Sequence, residues 1–86
     1  MTKAEIIATT TAEVIKEICK SESFKYTDAA KSFASSTYCQ WVRDRISSIS
    51  FDLLWDSELD DVIYETEEAA IFEAVRNTVS AIQRAA

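Results

Sequence analysis

Ile7, Thr11, Val14 and Ile18 recur at steps of four, three and four along the first twenty residues. Ala8, Ile15 and Cys19 widen the stripe, while Glu13, Lys16, Glu17 and Lys20 fall mainly off it. That period is helical. Thr2-Lys3-Ala4-Glu5 matches the capping box, in which a hydroxyl and a carboxylate satisfy each other's backbone donors. The pattern therefore predicts a helix over 3–20. A connection follows at Ser21-Glu22-Ser23-Phe24-Lys25-Tyr26, with Thr27 as the next N-cap and Asp28 in a first turn that favours negative charge.

The second predicted helix covers roughly 28–48 and has two apolar flanks. Cys39, Val42, Ile46 and Ile49 form one, and Ala30, Phe33, Ala34 and Trp41 form the other. Ser36, Gln40, Arg43 and Ser47 make the polar strip between them. So broad an apolar surface suits a central helix with more than one neighbour. Ser47-Ser48-Ile49-Ser50 predicts a boundary, because serine competes for backbone hydrogen bonds. Phe51, Leu53, Leu54 and Trp55 then form a hydrophobic knot of about one helical turn. Asp56 or Ser57 is expected to cap the next helix, and Ser57-Glu58-Leu59-Asp60 resembles a capping box. Beyond it Leu59, Val62, Ile63 and Thr66 carry one stripe, and Phe72, Val75, Val79 and Ile82 a cleaner one. The two do not join smoothly across Glu65–Glu68. The preferred reading is one long, bent helix over 57–84, and the alternative is a break near Thr66. Short connections imply antiparallel neighbours, so the expected fold is all-α, an up-and-down bundle of three to four helices.

Composition sharpens this. Eighty-six residues make one domain, 1–86, and the chain contains no glycine, no proline and no histidine. Phosphate-cradling and dinucleotide-binding loops and calcium hands need glycine, and the commonest general base and transition-metal ligand is histidine. Cys19 and Cys39 are too few for a disulfide scaffold or a zinc site. A hairpin about residue 24 would hold them about 16 Å apart, beyond the ~7 Å a bridge spans, so both are expected to be free thiols packed as small hydrophobes. Nucleophile candidates lack a histidine base or lie on apolar stripes, and no cofactor is implied. The chain is read as a non-enzyme.

Charge is distributed unevenly. The formal net charge is −6, and residues 46–75 hold nine acids, Asp52, Asp56, Glu58, Asp60, Asp61, Glu65, Glu67, Glu68 and Glu73, with no base. Such a block repels nucleic acid and anionic membranes and favours a basic protein surface. The Met1-Thr2-Lys3-Ala4-Glu5 start lacks the apolar core of a secretory signal, and no run approaches the ~18 apolar residues that span a bilayer. The expected location is cytoplasmic.

Three constellations invite chemistry. Asp56, Glu58, Asp60 and Glu67 fall at positions 1, 3, 5 and 12 of a calcium loop, but Asp61 occupies the sixth position, where the loop turns on glycine. No metal is expected. Arg45 follows Trp41 by one turn, within reach for guanidinium stacking, and Arg43 and Arg45 are also placed to pair with Asp44 or the acidic block. The block itself reads as a solvated face, as helix-start chemistry, or as a docking surface.

The leading expectation is a small acidic module whose carboxylates at Asp52, Asp56, Glu58, Asp60, Asp61, Glu65, Glu67 and Glu68, presented from one rigid rod, occupy a basic partner surface of the kind that holds nucleic acid. Trp55 or Tyr64 would supply anchors. Small inhibitors by which phages and mobile elements block defence nucleases share this size and charge, although no motif here identifies a family. The alternative is a structural or assembly subunit that forms a homodimer through Trp41 or Phe72, because a core this small leaves aromatics outside.

Overall fold

A computed structural model describes residues 1–21, 24 and 28–85. Four helices lie among them: α1 (Lys3–Lys20), α2 (Ala29–Ser32), α3 (Ser36–Asp56) and α4 (Glu65–Ala85). They form a small all-α bundle. Lys3 at the start of α1 meets Glu67 in the first turn of α4, and Arg45 of α3 meets Glu17 near the end of α1. α1 and α4 therefore run one way and α3 the other.

α1 has the bounds its pattern predicts. Thr2 Oγ1 accepts from the Glu5 N–H at 3.2 Å and Glu5 Oε1 accepts from the Thr2 N–H at 3.0 Å, which closes the capping box. Its fully buried positions are Ile6, Thr10, Val14 and Ile18, with Ile7, Thr11 and Ile15 half-buried beside them. The inward line is thus rotated by one residue from the expected one over its first half. Thr10 is tolerated inside because its hydroxyl donates to the Ile6 carbonyl at 2.7 Å.

The expected helix over 28–48 is divided. Asp28 caps α2 by accepting from the Ala30 N–H, whereas the Thr27 cap expected from sequence lies outside the described residues, as does most of the 21–26 connection. Phe33 ends α2, and Ser35 Oγ accepts from the Tyr38 N–H to start α3. The turn between them is held from inside: the Phe33 ring meets those of Tyr38 and Phe72 edge-on at 5.1 and 5.8 Å, and Cys39 Sγ donates to the Phe33 carbonyl. With α2 interposed, no hairpin about residue 24 sets the cysteine separation. Both thiols are free and half-buried.

The serine boundary expected at 47–50 is absent, and α3 continues to Asp56. Three serines cost about half a kcal/mol each against alanine, while a single buried isoleucine returns about 1.5–3 kcal/mol. Val42 and Ile46 are buried in this helix. Ser50 is buried too, and its hydroxyl donates to the Ser47 carbonyl.

The preferred helix over 57–84 is also corrected. Residues 57–64 are not helical, and α4 begins at Glu65, close to the alternative break near Thr66. Ser57 is the C-cap of α3 and not the N-cap of a new helix. Glu58 then takes φ 55°. The Glu58 N–H reaches the Trp55 carbonyl and the Leu59 N–H the Leu54 carbonyl, which is the Schellman closure of a helix end. α4 contributes Ile71, Phe72, Val75 and Val79 to a core shared with Val14, Ile18, Ala29, Val42 and Ile46. Gln83 ties its far end down, donating to the Phe24 carbonyl at 3.0 Å and accepting from the Ala29 N–H at 2.7 Å.

Candidate functional site

Because α3 overruns its expected end and 57–64 leaves the helical path, the acidic block is split among three pieces. Asp52 and Asp56 lie on the last turns of α3, Glu58, Asp60 and Asp61 on the connector, and Glu65, Glu67, Glu68 and Glu73 on α4. No single rigid rod presents them, which corrects that expectation. Five of them, Asp52, Glu58, Asp60, Asp61 and Glu68, instead line an open groove of about 1060 Å³ between the end of α3, the connector and the start of α4.

The groove has two kinds of lining. Phe51, Leu54, Trp55, Leu59, Val62 and Ile63 supply apolar surface, and Asp52, Glu58, Asp60, Asp61 and Glu68 supply carboxylates. No lysine or arginine lines it. Phe51 and Trp55 are one helical turn apart, their rings stacked at 6.4 Å and 24°, and they are 63% and 75% exposed. Large aromatics left in water at the edge of a concavity mark a contact surface more often than a fold requirement.

Part of the block is matched internally. Lys3 Nζ sits 2.8 Å from Glu67 and 3.6 Å from Asp61, and Arg76 pairs with Glu73. The hydrogen bond from Lys3, joined by that from the Tyr64 N–H, holds the Glu67 carboxyl below the usual range, and the Glu67 carboxylate in turn raises Lys3. Asp52, Asp56, Glu58, Asp60, Glu65 and Glu68 make no ion pair among the described residues. The Glu68 carboxylate accepts a 3.3 Å hydrogen bond from the Ser47 hydroxyl.

The nearest arginines on the chain turn elsewhere. Among the described residues Arg45 does not stack on Trp41 and forms no ion pair with the block, although Asp52 lies near enough to help raise its pKa. It grips Glu17 through Nε and a terminal nitrogen at 2.9 and 2.6 Å, which lowers the Glu17 carboxyl. Arg43 lies 4.6 Å above the Phe72 ring. Asp44 is taken by Gln40.

The remaining expected residues separate. Trp55 lines the groove, but Tyr64 does not. Tyr64 lies under Lys3 Nζ, 4.4 Å from the ring centre, as part of the α1–α4 clamp. Trp41 is 43% exposed and leans on Tyr38 at 5.9 Å. Phe72 is 6% exposed and packs within the core cluster. The calcium-loop spacing brings no ligand set together: no three acidic or thiol side chains converge on a common point among the described residues. Phe51 escaped the site reading because the knot around it looked like core, although its four-residue spacing to Trp55 was the available signal. No described helix is long and apolar enough to cross a membrane.

Comparison with protein-family models, with curated proteins and with solved structures finds no match.

Proposed function

We propose that this protein is a non-enzymatic binding module that occupies a basic surface of a partner protein, as an antagonist of whatever that surface normally holds. One observation carries the reading. Six carboxylates of the 46–75 block are without an ion pair among the described residues, and four of them, Asp52, Glu58, Asp60 and Glu68, line an apolar groove with two stacked aromatics in water. A solvated face needs the charges but not the rings. Helix-start chemistry accounts for Glu65, Glu67 and Glu68 in the first turn of α4, but not for Asp52 and Asp56 at the end of α3, where the helix dipole disfavours anions. Carboxylates spaced over such a surface substitute for phosphates and steer association with a cationic partner. A basic site that holds nucleic acid is the natural target, the mode used by small anti-defence inhibitors of phages and mobile elements.

Displacement assays test this. The protein is titrated against a panel of basic nucleic-acid-binding domains loaded with labelled duplex, at low and high salt. Displacement is expected from at least one domain, with a midpoint that weakens as salt rises and is lost on neutralising Asp56, Glu58, Asp60 and Glu65 to their amides. Displacement indifferent to salt and to the amides, or none across the panel, overturns the reading.

A second reading draws on the exposed Trp41, Phe51, Trp55, Val62 and Tyr64, namely self-association into a homodimer. Pairing through the groove would set two unneutralised acidic walls against each other, so a dimer would form through Trp41 instead. Sedimentation equilibrium separates the two. A dimer abolished by Trp41→Ser supports assembly, and a monomer supports the antagonist.

A further inference from the structure

We infer that the occupant of the groove is one amphipathic α-helix of a partner protein, with lysines or arginines flanking an apolar stripe. This rests on the reading above that the acidic face docks a cationic partner, and it adds what kind of surface that is. The lining is apolar at Phe51 and Trp55 and carries Asp52, Asp60 and Glu68 with no base among them. The complement of an apolar surface bordered by anions is an apolar stripe bordered by cations, which a helix presents at a three- and four-residue period.

Size agrees. Two turns of a helix about 10 Å across occupy roughly 850 Å³, against about 1060 Å³ of open groove. An extended strand fits less well, because strand addition needs free backbone groups on the wall. The Val62 N–H is already bonded to the Asp61 carboxylate at 2.7 Å, and the Leu59 N–H closes the end of α3. A nucleic acid or an anionic lipid surface would meet like charge, and a second copy of this chain would bring its own acidic walls.

The probes are two synthetic peptides of identical lysine and leucine composition, about four turns long. One has leucines on a single helical face, and the other has them distributed around the axis. Binding to the native protein is followed by isothermal titration, and to a Trp41→Phe variant by the fluorescence of the remaining Trp55. The single-faced peptide is expected to bind about tenfold tighter than its isomer and to shift Trp55 emission to the blue. Phe51→Ala, at a position 63% exposed, is expected to leave the melting curve unchanged and to remove most of that tenfold preference. Equal affinity of the two peptides, or a preference untouched by Phe51→Ala, overturns the helix-in-groove inference. In that event salt-sensitive binding of both peptides would leave the acidic docking surface standing. If neither peptide binds in a salt-sensitive way, the docking surface falls and the groove inference falls with it.

Discussion

Glu58 holds a conformation its side chain disfavours. At φ 55° it sits in the left-handed region, where a β-carbon crowds the following carbonyl at a cost of about 1–2 kcal/mol. Helices usually end this way on glycine or asparagine, and this chain has no glycine to place there. The strain persists because the Schellman bonds from Glu58 and Leu59 satisfy carbonyls at the end of α3. Glu58→Gly should therefore stabilise the fold by about 1 kcal/mol, raising Tm by about 4–8 °C for a domain of this size. Glu58→Gln removes the charge but keeps the β-carbon and serves as the control. Calorimetry that places the glycine variant no higher than the glutamine variant would show that the backbone carries no strain worth relieving. This residue was the least legible in the sequence. Ser57-x-x-Asp60 has the letters of a helix start, and only the backbone reveals that Ser57 ends a helix instead.

Legibility among the elements followed how far local and tertiary signals agreed. The bounds of α1 could be read to the residue because capping box and apolar period both mark a helix there, although its inward line over the first half lies one residue from the expected one. α3 and the connector could not. The serines of 47–50 lost to buried Val42 and Ile46, while Leu59, Val62 and Ile63 kept helical spacing yet line a groove. The acidic, aromatic composition of the site was legible, but its shape was not, because shape depends on where α3 stops. What fixes the start of α4 is the clamp of Lys3, Tyr64 and Glu67, which joins it to the start of α1. Glu67 is held below the ordinary glutamate range by Lys3 and the Tyr64 N–H. A carboxyl lowered in the folded state stabilises above its unfolded pKa, and that contribution is lost as pH falls through the folded value. Between about pH 5 and pH 3 the melting temperature of the native protein should fall relative to that of Glu67→Gln, which still accepts from Tyr64 but has no proton to gain. Lys3, raised by the same contact, adds the opposite limb: its contribution is lost as pH climbs past the ordinary lysine range. Parallel acid limbs for native protein and Glu67→Gln would mean that the clamp does not act through this carboxylate.

At the scale of the molecule, the unpaired carboxylates of the 46–75 block face two demands with opposite dependence on salt. With a net charge of −6 and six carboxylates of one block unpaired among the described residues, the compact state repels itself. Like-charged neighbours cost a few tenths of a kcal/mol each. The partly exposed pairs Lys3–Glu67, Arg45–Glu17 and Arg76–Glu73 pull the other way, and such pairs weaken on screening as well. Repulsion reaches across the whole face, whereas each ion pair acts over one contact of a few ångströms. Salt that shortens the Debye length from about 30 Å to about 4 Å therefore removes more repulsion than attraction. Raising sodium chloride from about 0.01 M to about 0.5 M should raise Tm while weakening the binding of a cationic helix. Converting Asp56, Glu58, Asp60 and Glu65 to amides should flatten both trends together, because the same charges drive both. A native Tm that is flat or falls with salt would show that the three ion pairs outweigh the repulsion, and the acids would then lie on the surface without straining the fold.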